Sequence, residues 1–313
     1  MIKPVADSEI SPDSPFLTGA VFVGVQSVLY NNNPGAVRRA VTSLSRSAEL
    51  GLHAGVLSRV SLYLGDSSPL PCLSQAQVQE MQSDTLTINY DPFGANLGSA
   101  KGHNRLAQIN DAEFMVIQNP DVVVSPRTLE ILAGAFRTPG IGMAEAKQLP
   151  IEHPKDYDPL TGETSWAATA CVMFPAALFH KIGGFDADSF FLYCDDLDFS
   201  WRVRLSGYKV IFQPAATVFH DKRLSVEGKW MPSAAESYYS SEAALFLAHK
   251  WSRPDLVEGY LKIFERSDDE NLRKAHDVFI DRRLSGTLPP PLDPEHKIAL
   301  FINGAYAKHR FAL

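Results

Sequence analysis

Short apolar, β-branched runs alternate with helix-spaced segments through the first 140 residues, and each of three such runs breaks off in a polar loop. Ala20 to Tyr30 (AVFVGVQSVLY) reads as a strand that ends in Asn31-Asn32-Asn33-Pro34. Val37, Val41 and Leu44 follow at helical spacing, with Arg38 and Arg39 turned outward. Val60, Leu62 and Leu64 alternate into Gly65-Asp66-Ser67-Ser68, and Leu86, Ile88 and Tyr90 mark a third strand. Gly98 to Gln108 reads as a short helix, and the apolar run Phe114 to Gln118 stops at Asn119-Pro120-Asp121. Ser125 followed by Pro126 predicts an N-cap and a helix through Phe136. This order predicts an α/β fold, a mostly parallel sheet with helices on both faces. Ligands of such sheets sit beyond the carboxyl ends of the strands, where the loops after Tyr30, Leu64 and Gln118 converge.

Further along, residues 169 to 174 (TACVMF) read as a strand, and Pro175 to Ile182 as a short helix closed by Gly183-Gly184. A helix over Asp195 to Ser206 ends at Gly207, and Tyr208 to Phe212 is a strand. From Ser233 the pattern turns helical, with Ala243, Leu247 and Trp251 at spacing four. Three consecutive prolines within Ser285 to Asp293 predict an irregular link to a final helix. The expected organisation is a flexible tail over 1–16, an α/β domain over 17–222 and a mostly helical region over 223–313.

Composition narrows the partners. With 45% hydrophobic and 21% charged residues the chain can bury a full core. A net charge of −7 argues against nucleic acid, whose binding needs a basic face. Cys72, Cys171 and Cys194 lack the spacing of a metal site or a disulfide framework, so buried reduced thiols are expected. The acidic N-terminus has no apolar signal core and no run is long enough to span a membrane. A cytoplasmic protein is expected, with at most peripheral contact at the inner face of the cytoplasmic membrane. Trp251, Tyr260, Phe264, Phe301, Tyr306 and Phe311, with Lys308 and Arg310, could supply such a surface or could pack inward.

The densest chemistry lies in residues 183 to 221, GGFDADSFFLYCDDLDFSWRVRLSGYKVIFQPAATVFHD. Asp195, Asp196 and Asp198 open a helix behind the aromatic run Phe190-Phe191-Leu192-Tyr193. The helix dipole favours acidic residues there, and Asp198 can pair with Arg202 at i, i+4, so a structural role is available. A carboxylate beside aromatic walls is also desolvated, which raises its proton affinity and suits a general base. Asp121 at a strand end can hold Mg2+ or Mn2+, with His220 as a second ligand. Asp66 could be a turn residue or could accept a hydrogen bond from a nucleobase or ribose.

Taken in order, these residues resemble the family 2 glycosyltransferases, especially their bacterial rhamnosyltransferase-like branch, over roughly residues 20 to 221. The likeness rests on Gly183-Gly184-Phe185-Asp186, Phe190-Phe191-Leu192-Tyr193, Asp195-Asp196-Leu197-Asp198, Arg202, Gly207-Tyr208 and His220. Asn96-Leu97-Gly98 with Gly102 and Asn104 matches an upstream segment of the family, and Asn119-Pro120-Asp121 stands where its metal-binding acidic motif lies. The resemblance implies a GT-A fold, Mn2+ or Mg2+ as cofactor, and transfer from a dTDP- or UDP-linked sugar with inversion. The acceptor implied is a glycan or a lipid-linked oligosaccharide. It implies Asp196 as the base with Asp195 as alternative, and Asp121 and His220 as metal ligands. Asn31, Asp66, Asn96, Gly98, Asn104, Asn119 and Asp121 are the expected nucleotide-sugar contacts. Trp166, Tyr193, Asp198 and Arg202 are expected to serve or support the acceptor side, and a homo-oligomer is compatible with the family. This sequence departs from the pattern at Asn119, where a carboxylate is commoner, and at Thr169, where a glycine usually stands.

Overall fold

The computed structural model describes residues 19–153, 155–220 and 234–304. The expected tail over 1–16 lies outside the described residues, as do Asp221, Tyr306, Lys308, Arg310 and Phe311. The chain alternates β1 (Val21–Leu29), α1 (Pro34–His53), β2 (Leu57–Asp66), α2 (Gln75–Met81), β3 (Thr87–Pro92), α3 (Gly98–Ala107), β4 (Phe114–Gln118), β5 (Val122–Val124) and α4 (Thr128–Ala135). It continues through β6 (Ile141–Leu149), β7 (Cys171–Pro175), α5 (Ala176–Lys181), α6 (Asp195–Leu205) and β8 (Lys209–His220). Helices α7 (Ala234–Lys250), α8 (Pro254–Glu265) and α9 (Glu270–Leu284) follow.

One eight-stranded sheet carries the order β3-β2-β1-β4-β7-β6-β8-β5. Strands β1 to β4 run parallel, β7 lies antiparallel to both β4 and β6, β8 is parallel to β6, and β5 is antiparallel to β8. Six strands therefore share one direction, and the ends of β1, β2, β4, β6 and β8 gather at one carboxyl edge. Helix α1 presents Val37, Val41 and Leu44 to the core at spacings of four and three, and Leu44 is fully buried. Each such side chain contributes about 1.5 to 3 kcal/mol by leaving water. Asn33 caps the helix by accepting from the Gly35 and Ala36 N–H groups.

Three elements depart from the sequence reading, and three were missed. Helix α4 starts at Thr128 rather than at Pro126, because the Ser125 N–H donates to Thr217 O (3.0 Å) and the Thr128 hydroxyl to the same carbonyl (2.8 Å). Ser125 thus extends the pairing of β5 with β8, and it meets the helix through its carbonyl, which accepts from the Thr128 N–H (3.1 Å). Strand β8 runs past Pro214 to His220, and the register shift opposite Ala146/Lys147 accommodates the proline. Residues 294–304, where the final helix was expected to begin, form turns, and the rest of that stretch lies outside the described residues. Strands β5 and β6 and helix α2 lacked a reading from the sequence.

Helices α7 to α9 pack their own core against α6, around Trp201, Trp251, Phe246 and Phe279. Trp251 is fully buried edge-on to Trp201 (5.2 Å), and Phe264, Tyr260 and Phe301 join that core. Of the residues weighed for a membrane-facing surface, the four described ones therefore turn inward. Among the described residues no helix is long and apolar enough to cross a membrane.

Candidate active site

Helix α6 begins after two successive non-glycine residues in the left-handed region, Tyr193 (φ 69°) and Cys194 (φ 56°). Such a conformation costs about 1 to 3 kcal/mol per residue and persists only where surroundings impose it. Here Cys194 is fully buried, and the Tyr193 hydroxyl donates to Glu236 Oε1 on α7 (2.9 Å). The turn sets two adjacent carboxylates in different environments. Asp195 is buried and accepts from the Ser99 hydroxyl through Oδ2 (2.7 Å). Burial, and then the charge of Asp196, push its proton affinity well above the ordinary carboxylate range, despite the Ser99 hydrogen bond. Asp196 is half-buried, and its Oδ1 accepts from the Leu197 N–H (2.9 Å). Of the two, Asp196 has the access a base requires.

The first turn of α3 shares this chemistry. Gly98 has φ 69°, and a Cβ there would stand 2.3 Å from Phe191 O, so only glycine fits. The Ser99 N–H donates to the same Phe191 carbonyl (2.9 Å), while its hydroxyl holds Asp195. Asn96 accepts from Gly98 N (3.1 Å) and organises this entry.

Asp198 and Arg202 support the fold. Asp198 is fully buried between Arg202 Nε (2.8 Å), Lys250 Nζ (2.8 Å) and the Trp251 indole N–H (3.1 Å). Arg202 donates onward to Ile182 O and Gly184 O, and Lys250 also pairs with Asp186 (2.7 Å). One charged cluster thereby ties the Gly183–Asp186 turn, α6 and α7 together.

Two expected nucleotide contacts are engaged within the protein itself. Asn104 spends its amide on Phe185, donating to its carbonyl (2.7 Å) and accepting from its N–H (2.9 Å), so it clamps that turn. Asp66 is 1% exposed, and its carboxylate accepts from Ser68 N (2.9 Å), Cys72 N (2.6 Å) and the Tyr90 hydroxyl (2.5 Å). Burial raises its proton affinity, but these hydrogen bonds outweigh burial and lower it. Asp66 shapes the loop over 66–72 from inside. That loop in turn holds Asn31, whose N–H donates to the Ser68 hydroxyl (2.8 Å) at φ 54°. Trp166 is buried beneath the Lys155 ammonium, 4.0 Å from its ring, and Lys155 pairs with buried Glu145. It supports the loop after β6 and offers little surface to a ligand.

At the ends of β4 and β8, Asp121 Oδ2 lies 3.5 Å from His220 Nε2, and Asn119 Nδ2 lies 3.5 Å from the same nitrogen. On the other side of the ring, His220 Nδ1 meets Gln148 Oε1 at 2.9 Å. An amide oxygen only accepts, so Nδ1 donates to it and Nε2 is the nitrogen turned toward Asp121.

No family model matches the chain. It is 25% identical over 275 residues, 73% of this chain and 84% of the relative, to an N-acetylglucosaminyl-diphospho-decaprenol L-rhamnosyltransferase of Mycobacterium tuberculosis. Among solved structures it resembles a Pyrobaculum calidifontis mannosyltransferase in complex with GDP-Man and Mn2+, with a TM-score of 0.52 and 17% identity over 92% of this chain and 80% of that one. It also resembles GalNAc-T7 with UDP, GalNAc and Mn2+, with a TM-score of 0.58 and 14% identity over 87% of this chain and 60% of that one. The chain is a glycosyltransferase of the GT-A fold. Within that fold its likeness is to the rhamnosyltransferase-like members of family 2.

In this glycosyltransferase the donors available to a divalent ion are few. Among the described residues no three His, Cys, Asp or Glu side chains gather at one point. Asp121 and His220 offer one carboxylate oxygen and one oriented imidazole nitrogen, a set that suits Mn2+ and leaves positions open for diphosphate oxygens. The group fits. Ser99, Gln148 and Lys250 escaped the sequence reading, and only Ser99 carried a signal, following the glycine of the Asn96-Leu97-Gly98 segment.

Proposed function

We propose that the protein is an inverting, metal-dependent glycosyltransferase that moves L-rhamnose from dTDP-L-rhamnose to a lipid-linked, N-acetylglucosamine-bearing acceptor. The sugar and the acceptor are carried over from the mycobacterial relative's description, and the dTDP carrier from the family resemblance. The observation that carries the chemistry is the split pair at the head of α6, with Asp195 buried on Ser99 and Asp196 open to proton transfer. Asp196 takes the proton of the acceptor hydroxyl as its oxygen bonds to the anomeric carbon. The bond to the nucleoside diphosphate breaks on the opposite face, which inverts the centre. Burial raises the proton affinity of Asp195 and so lessens the charge it sets beside Asp196. Asp121 and His220 would hold Mn2+ or Mg2+, which supplies charge neutralisation for the departing diphosphate. A lipid-linked acceptor calls for peripheral contact with the inner face of the cytoplasmic membrane.

The test is a panel of nucleotide sugars, including dTDP-L-rhamnose, UDP-galactofuranose and UDP-N-acetylhexosamines, given to purified protein with Mn2+ and a lipid-linked N-acetylglucosamine acceptor. Diphosphate release greatest with dTDP-L-rhamnose and abolished by chelator supports the proposal. Release from none of the donors refutes it, and preference for a UDP-sugar replaces the donor.

A further inference from the structure

Helix α7 lies beyond the stretch that resembles the family, yet it reaches the acidic block. Its Tyr239 ring stacks on Phe191, with centroids 4.6 Å apart and planes 26° apart, and Tyr238 abuts Tyr239 edge-on at 4.9 Å. Tyr30, just past the carboxyl end of β1, is 51% exposed and close enough for its charge to raise the proton affinity of Tyr239, an effect that ranks after burial and the charge of Glu242. Phe191, Tyr239 and Tyr30 belong to none of the hydrophobic clusters formed by the described residues. Phe191 and Tyr239 are only partly buried, so the stack leaves aromatic surface in reach of solvent.

Its position is nonetheless fixed. The Phe191 carbonyl accepts from Ser99 N, and Ser99 holds Asp195 with its hydroxyl, so one serine sets the distance between ring and acid. On the helix side, Glu236 holds Tyr193 one turn before Tyr239. An anchored, half-exposed aromatic pair, its Phe191 four residues before Asp195, matches a pyranose ring. The ring's apolar C–H face lies on the aromatic surface, while its hydroxyls turn toward the acids.

We infer that Phe191 and Tyr239 form the platform on which the acceptor's pyranose ring stacks, and that α7 thereby supplies part of the acceptor site. The inference rests on the glycosyltransferase reading with a glycan acceptor.

Saturation-transfer NMR with methyl N-acetyl-β-D-glucosaminide measures it directly, and binding of dTDP with Mn2+ serves as the control for an intact donor side. Phe191→Ala and Tyr239→Ala should each weaken sugar binding about tenfold, the scale of one lost aromatic contact, and keep dTDP binding. Tyr239→Phe, which keeps the ring, should restore sugar binding to within about twofold of wild type. If the alanine variants lose dTDP binding as well, Phe191→Leu, which preserves bulk without a ring, decides between packing and stacking. Sugar binding unchanged in the alanine or leucine variants overturns the inference, as does a wild-type protein that binds no sugar. Failure of the functional reading appears elsewhere, as a wild-type protein that releases diphosphate from no donor.

Discussion

Replacing Gln148 by methionine separates metal affinity from stability. Gln148 is fully buried at the end of β6, and its Oε1 accepts from His220 Nδ1 at 2.9 Å. Its Nε2 has no hydrogen-bond partner among the described residues. Methionine matches the length of glutamine and removes both groups. The lost hydrogen bond contributes about 1 kcal/mol net, while relief of a buried unsatisfied N–H returns about 1 to 3 kcal/mol. Unfolding free energy should therefore stay level or rise. The imidazole, however, loses the acceptor that fixes its tautomer, and second-shell losses of this kind weaken metal binding about 10- to 100-fold. That is about 1.4 to 2.8 kcal/mol. Mn2+ titration followed by electron paramagnetic resonance gives the affinity, and 15N-resolved NMR of the histidines gives the tautomer in metal-free protein. Gln148→Glu, which keeps an acceptor, should recover the Nδ1–H form. An unchanged Mn2+ affinity in Gln148→Met, with the Nδ1–H tautomer retained, would refute the reasoning.

Asp196→Asn should fold and bind dTDP with Mn2+ yet lose transfer by about 10² to 10⁴, read from diphosphate release with acceptor present. Turnover near wild type would move the base to Asp195. Asp198→Asn leaves Lys250 and Arg202 short of a buried partner and should cost about 3 to 5 kcal/mol in chemical denaturation; a loss under about 1 kcal/mol would contradict the cluster's role. Asp195 binds its proton more tightly in the folded than in the unfolded protein. Its contribution to stability is full below the unfolded value of about 3.9 and fades as pH rises through the raised folded value. Melting temperatures should accordingly fall less between about pH 5 and about pH 8 in Asp195→Asn than in wild type. Equal slopes would count against its protonation.

The N-terminal half was legible because its strands are apolar and its helices periodic, so β1, α1, β2, α3 and β4 follow from spacing alone. Strand β6 was not, since IGMAEAKQL carries glutamate, lysine and glutamine and does not read as a strand. Its polar residues are accounted for only in three dimensions, Glu145 by Lys155 from the following loop and Gln148 by His220 from β8. Helix α2 had a signal, the reciprocal capping of Ser74 and Gln77, that was passed over. In the site, the acidic block and His220 stood out because charged residues flank apolar runs. The role of Asn104 could not be told from its letter, because an asparagine that clamps a backbone and one that binds a nucleotide look alike in a sequence. The platform on α7 was hidden by its distance in sequence, 48 residues from Phe191 to Tyr239.

The charged cluster at Lys250 bears on where this enzyme can be divided. A break near residue 222 looks natural in a linear plan, since the sheet is complete by His220. Yet the carboxylates of Asp198 and Asp186 both meet one ammonium, that of Lys250, which lies beyond this break on α7. A fragment ending there would leave Asp186 without its ammonium, Asp198 with Arg202 alone, and a bare face of α6 where Trp251 had been. Chimeras that exchange acceptor specificity should therefore move α6 and α7 as one piece, with the joint placed elsewhere.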